Sequence, residues 1–263
     1  MDCCEFSGSC TLFDKGTLSH RNPLFYLWSN VICRSGSMEK VNQEQINIWL
    51  KMDDKKNNNN TVILANGAFP EHDIPLGYLN NAGRIVCCDG GVENLIEAGY
   101  TPDAIIGDMD STGKLFAGRF QDIIFSDDDQ ETNDLTKAVS WCSKRGFNSL
   151  VILAATGKRE DHTIGNISLL AEYIKDVSVK MVTDTGILIP LLKSSIVSSF
   201  PGQQVSVFSI DPDTEITSHG LRYPLKSKKI NNWWVATLNE SKGDSFSLQF
   251  RGGPIIVYFK FKA

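Results

Sequence analysis

The chain has 263 residues, 41% hydrophobic and 22% charged, with 31 acidic and 26 basic side chains and a formal net charge of -5. This is a globular balance, long enough for one large or two modest domains, and the lack of a basic stripe interleaved with aromatics excludes a nucleic-acid partner from the expectations. Seven cysteines without a C-x-x-C pair read as reduced, mostly buried thiols of a cytoplasmic protein.

Residues 1–60 differ from the rest. They are rich in Cys, Ser and Asn and close on the polar tract "KMDDKKNNNN" (51–60), so they read as an extension and linker, and the functional protein is expected to begin near Met38 or Met52. The stretch "PLFYLWSNVIC" (23–33) is broken by Ser29 and Asn30 and is too short to span a bilayer, so no membrane partner is expected. From Thr61 a different pattern begins. "TVILA" (61–65) and "RIVCC" (84–88) predict strands, and "VENLIEAG" (92–99) a helix with Val92, Leu95 and Ile96 on one face and Gly99 as its C-cap. "AIIG" (104–107) and "DIIF" (122–125) predict two more strands. "TNDLTKAVSWC" (132–142) predicts a helix with Leu135, Ala138, Val139 and Cys142 as its apolar stripe. "LVILAA" (150–155) and "VKMVT" (179–183) are strands, separated by a helix that carries Ile164, Ile167, Ala171 and Ile174. Runs that are aliphatic at nearly every position suit strands buried on both faces of a parallel sheet. The fold class is therefore α/β over residues 61–186, with helices on both faces of the sheet. After Gly186 the helical signals stop. "QQVSVFSI" (203–210), "DTEITSHG" (213–220), "WWVATLN" (233–239), "SFSLQF" (245–250) and "PIIVYFKF" (254–261) predict a smaller all-β sandwich or barrel domain over residues 187–263. Trp233 and Trp234 read as either interface or core, with core the default expectation.

In an open α/β sheet, ligands bind at the carboxyl ends of the strands. Four predicted strands deliver acid there: Asp89 in "CDGG", Asp108 and Asp110 in "GDMDS", the run "SDDDQETND" ending at Asp134, and Asp161 in "ATGKREDH". Carboxylates converging on one rim repel unless a cation sits among them, and Mg²⁺ is the economical choice. Gly90 and Gly91 stand at a strand-to-helix turn, where phosphate can approach backbone N–H groups, although such turns also need glycine for geometry. Thr132 and Asn133 are candidate N-caps ahead of Asp134. Lys158, Arg159 and His162 are the local cations suited to phosphate oxygens. "AIIGDMDST" also matches the D-x-D-x-[TV] pattern of haloacid-dehalogenase-type phosphatases, but it lies on the third strand and no matching acidic pair follows. A P-loop is absent, since "ATGKRE" lacks the earlier glycine and the following Ser or Thr.

Taken in order, "CDGG", "GDMDS", "DQETND", "ATGKREDH" with Gly165 and Asn166, "GLRYPL" and "LNE" (238–240) resemble the thiamine pyrophosphokinase family, more closely its bacterial form. The resemblance runs from about Val62 to the C-terminus. It implies transfer of pyrophosphate from ATP to the hydroxyl of thiamine with Mg²⁺, giving AMP and thiamine diphosphate. It also implies a homodimer of an α/β nucleotide-binding domain and a β-rich domain, with thiamine at the subunit interface. Asp108, Asp110 and Asp134 look like the carboxylates that manage Mg²⁺ and the attacking hydroxyl, joined by Asp161. Asp89, Gly90, Gly91, Gln130, Thr132, Lys158, Arg159 and His162 look like nucleotide contacts, and Asn239 and Glu240 like thiamine contacts. Lys158 stands where the family commonly has glycine, and Leu238 where serine precedes the asparagine. A non-catalytic thiamine- or nucleotide-binding regulator is the third class in view.

Overall fold

The computed structural model describes residues 60–108, 120–126 and 131–262. The expectations for the leader, for Asp110 and for Gln130 lie outside the described residues. Strands β1 (Thr61–Leu64), β2 (Arg84–Cys88), β3 (Ala104–Gly107), β4 (Ile124–Ser126), β5 (Ser149–Leu153) and β6 (Ser178–Val182) pair in parallel in the order β4-β3-β2-β1-β5-β6. Every position of β1 and β3 is buried, because helices cover both faces. With a side-chain period of two, Val62 and Leu64 face helices α1 (Asp73–Asn80) and α2 (Val92–Glu97) through Ile74, Leu79, Val92 and Leu95. Ile63, Val86 and Ile106 face α3 (Asp134–Lys144) and α4 (Glu160–Tyr173) through Leu135, Ala138, Cys142 and Leu170. Each such aliphatic side chain stabilises the fold by about 1.5–3 kcal/mol relative to exposure.

Local signals place these helices as expected. Asn133 caps α3, its side-chain oxygen accepting from Thr136 N at 2.8 Å, and the predicted stripe Leu135, Ala138, Val139 and Cys142 is buried. Gly99 follows α2 at φ 85, the left-handed conformation of a C-cap glycine. Helix α4 departs from expectation: Ala171 is buried, but Ile164 is 58% exposed. "DIIF" is also offset, a single 3₁₀ turn over Gln121–Ile123 preceding β4.

The C-terminal residues correct the picture of a separate all-β unit. β7 (Gly186–Leu191) pairs antiparallel with β6, and β14 (Ile255–Lys260), β9 (Gln204–Ser209) and β12 (Asn239–Glu240) continue outward, making one mixed ten-stranded sheet. β8 (Ser195–Ser198), β10 (Glu215–His219), β11 (Lys228–Lys229) and β13 (Ser245–Arg251) form a second, antiparallel sheet ordered β11-β10-β13-β8. Ile187, Val205, Val257 and Phe259 join Ile216, Phe246 and Leu248 in one apolar core, with the Phe246 and Phe259 rings 6.0 Å apart. The result is a sandwich, not a barrel, and its larger sheet is shared with the parallel half. "WWVATLN" is not a strand: Trp233–Ala236 form a 3₁₀ turn that leads into the two-residue β12. Trp233 donates its indole N–H to Ser209 O at 3.1 Å. Trp234, expected in the core, is 72% exposed.

Candidate active site

β1 to β4 add strands toward one edge, and the chain then returns to place β5 on the other side of β1. The loops leaving β1 and β5 lead to helices on opposite faces, which opens a crevice at the carboxyl ends of these strands, the usual binding position in such sheets. A cavity of about 350 Å³ lies there, lined by Asn66 and Gly67 after β1, Cys88 at the end of β2, Asn133 and Asp134 at the start of α3, and Thr156, Lys158, Arg159 and His162 after β5.

The acidic side of the site is built by close packing. Asp89 is 2% exposed, and a Cβ on Gly107 would stand 2.7 Å from its carboxyl carbon, so only glycine at the end of β3 admits this side chain. One Asp89 oxygen, Oδ2, is buried without a hydrogen-bond partner. Asp134 is pushed up to about 6, first by burial and then by the neighbouring Asp89 charge; Lys137 acts in the opposite direction, and Asp108 adds to the rise. Asp89, Asp108 and Asp134 are therefore brought together as one negative patch. An orphaned buried oxygen on the aspartate that neighbours a carboxyl of raised pKa fits a hard divalent cation. Among the described residues no three His, Cys, Asp or Glu side chains are grouped around a single ion position, and Asp110, the remaining predicted ligand, lies outside them.

Asp161 does not join this patch. It is exposed and held by Arg159, whose Nε donates to Asp161 Oδ1 at 3.0 Å and whose Nη2 donates to Oδ2. That hydrogen bond, with one from His162 N, lowers the Asp161 carboxyl to about 2. The expected cations do collect at the cavity. Arg159 and His162 line it, and Lys158 crosses its rim to donate to Asn66 Oδ1 at 3.0 Å. Gly90 and Gly91 are not in the lining. A Cβ on Gly90 would meet the Asn66 amide at 2.1 Å and one on Gly91 the Ala65 carbonyl oxygen at 2.6 Å, so both glycines serve packing of the β1 loop onto the turn. Thr132 is exposed, just ahead of the Asn133 cap.

Sequence reasoning missed Asn66, Gly67, Thr163 and Lys137. Asn66 follows an apolar run with no motif around it, and only its contacts with Lys158 and the Gly90 turn identify it. Asn166 had a signal in the "GN" pair; its amide donates to Ala155 O at 2.9 Å and ties α4 to the β5 loop. Asn239 and Glu240 form the short strand β12, and both have hydrogen-bond partners within the fold. Asn239 is 3% exposed; its Oδ1 accepts from Tyr223 N and Glu240 N, and its Nδ2 donates to Tyr223 O. The amide thus holds the 221–225 loop, and Glu240 pairs with Arg222 at 3.1 Å. Before them Leu238 sits at φ 57 and is 76% exposed.

A second cavity, of about 830 Å³, adjoins the first and shares Thr156 with it. Its walls are mostly apolar, including Ile164, Leu188, Phe208, Trp233, Leu238 and Tyr258, with Asp184 as the acidic residue. It explains the exposure of Ile164 on a stripe that reads as core.

Comparison with known proteins agrees with this arrangement. Residues 76–183 match the family model described as thiamin pyrophosphokinase, catalytic domain, and residues 186–258 the model described as thiamin pyrophosphokinase, substrate-binding domain. Thiamine pyrophosphokinase 1 of Oryza sativa subsp. japonica is 28% identical over 200 residues, covering 65% of this chain and 75% of the relative. Thiamine pyrophosphokinase of Bacillus subtilis (strain 168) is 26% identical over 179 residues, covering 64% and 82%. The yeast thiamin pyrophosphokinase crystal structure superposes with a TM-score of 0.66 at 18% identity, covering 79% of this chain and 87% of that one. The Bacillus subtilis crystal structure does so at 0.64 and 20%, covering 78% and 100%. With two adjoining models of one family matched in order over more than half of its length, the chain belongs to the thiamin pyrophosphokinase family.

Proposed function

We propose that this thiamine diphosphokinase takes ATP as its donor, binds it in the crevice between the β1 and β5 loops, and uses Mg²⁺. The observation that carries this reading is the pairing of buried Asp89, with its unpartnered oxygen, and partly exposed Asp134, which lines one cavity together with Lys158, Arg159 and His162. Asp108 and Asp134 would hold the metal, with Asp110 as the third ligand. The metal supplies neutralisation of charge on the phosphate chain. Arg159 and His162, both solvent-exposed, then meet phosphate oxygens through charge-assisted hydrogen bonds. The hydroxyl of thiamine attacks the β-phosphorus, the bond to the α-phosphate oxygen breaks, AMP leaves, and the hydroxyl proton passes to a carboxylate of the patch. The apolar cavity suits the acceptor. Phe208, Trp233 and Tyr258 can pack an aromatic ring system, Asp184 offsets positive charge, and Thr156 marks the passage to the phosphate cavity.

Exposed Ile164 and Leu238, which line the apolar cavity, and exposed Trp234 support the homodimer, since exposed apolar side chains are natural cover for a second copy. Buried, unpaired Cys87, Cys88 and Cys142 support a reducing, cytoplasmic setting. No helix among the described residues is long and apolar enough to cross a membrane. The test is nucleotide analysis after incubation with ATP, Mg²⁺ and thiamine. Thiamine-dependent AMP is expected. ADP, or phosphate released without thiamine, would instead favour another kinase or the phosphatase, and tight binding without AMP would favour the regulator.

A further inference from the structure

Lys137 lies one turn into α3 with its side chain only 3% exposed, its ammonium 3.8 Å from Asp134 Oδ1. An ammonium withdrawn from water is costly unless a charge repays the loss of hydration. Positions three apart share a helix face, and the rest of the buried face of α3 is apolar. A side chain needed only for packing would be apolar here as well. Lys137 is buried beside Asp134 and is not in the lining of the crevice cavity. The acidic patch contains Asp89, whose 2% exposed side chain keeps one oxygen unpartnered. It also contains Asp108, close enough for its charge to act on Asp134.

We propose that Lys137 is a positioning residue: a fixed positive charge beside the acidic patch that holds the Asp134 carboxylate in place and offsets carboxylate repulsion while no cation is bound. This deepens the reading of the crevice as a cation and phosphate site, and rests on it for the purpose of the patch. The charge itself is testable without nucleotide or thiamine.

The experiment is thermal unfolding at pH 7.5 in chelator, and again with Mg²⁺ alone, of the wild type, Lys137→Met, Asp134→Asn and the double variant. Lys137→Met keeps the length of the stem and removes the charge. It is expected to melt about 4 °C or more below the wild type in chelator. In the Asp134→Asn background the same substitution should cost less than half as much, the sign of coupling between the two side chains. Added Mg²⁺ should raise the melting temperature of Lys137→Met more than that of the wild type, and Lys137→Arg should recover most of the loss in chelator. Equal losses in both backgrounds with equal Mg²⁺ increments would make Lys137 a packing residue and overturn the proposal. Should Lys137→Met fail to fold, a double variant that folds supports the proposal and one that fails as well overturns it. A wild type that makes no AMP would sink the functional reading and leave this coupling intact. Purely additive losses in a protein that does make AMP would sink only the role of Lys137.

Discussion

If Asp134 holds the metal as proposed, stability and chemistry place opposing demands on it. Its carboxyl is raised to about 6 by burial and by Asp89, so the native state holds this proton more tightly than the unfolded chain does. The stability it contributes is present below the unfolded value of 3.8 and is lost as pH rises through about 6. In metal-free protein at neutral pH the ionised group is therefore a burden. Asp134→Asn is expected to melt above the wild type in chelator at pH 7.5, with the gap closing as pH falls toward 4. With substrates and Mg²⁺ the same variant should be slower by about two orders of magnitude or more. Scanning calorimetry across this pH range beside steady-state rates checks both parts. A variant that melts lower and turns over normally would show Asp134 to be a helix-capping group only. The exposed Asp161, lowered to about 2 by Arg159, has no comparable tension, and the patch does not depend on it.

Among the elements, those settled by short-range chemistry were legible in the sequence. Asn133 and the stripe from Leu135 to Cys142 specify α3 within a dozen residues, and Gly99 closes α2 because only glycine takes its φ freely. The acidic strand ends were legible for the same reason, since each follows its own apolar run. Roles set by distant partners were not. Asn66 gains meaning from Lys158 and the Gly90 turn, and Ile164 reads as core until the neighbouring cavity is seen. Asn239 is singled out by the family resemblance alone, and its hydrogen bonds with the Tyr223 backbone, brought near by the Leu221–Ser241 bridge, leave no local signal in the sequence. Asn239→Ala would leave the Tyr223 N–H and C=O without their partners, at a cost of about 1–3 kcal/mol. Denaturant unfolding should register that loss. Unchanged stability with only a weaker KM for thiamine would make Asn239 a ligand contact and not a loop anchor.

In the whole molecule, the continuity of the sheet is what no local pattern announced. β7 turns back on β6 just where the helical signals end, so the sandwich grows from the edge of the parallel half. The matched catalytic and substrate-binding models meet at this turn, between residues 183 and 186. The crevice cavity and the apolar cavity share Thr156, so on the proposed reading donor and acceptor would lie side by side along that common sheet. Exposed Trp234 and Leu238 predict self-association. Sedimentation of the wild type should give a dimer that Trp234→Asp weakens, and a monomeric wild type would refute it. The central claim is a single attack on the β-phosphorus of ATP from the acidic crevice. ATP labelled at that phosphorus tests it most directly, with thiamine, Mg²⁺ and recovery of the thiamine diphosphate. The label should lie in the phosphate bonded to thiamine and survive removal of the terminal phosphate, with one AMP per product. Unlabelled product accompanied by ADP would mean stepwise transfer of γ-phosphates and would contradict the account.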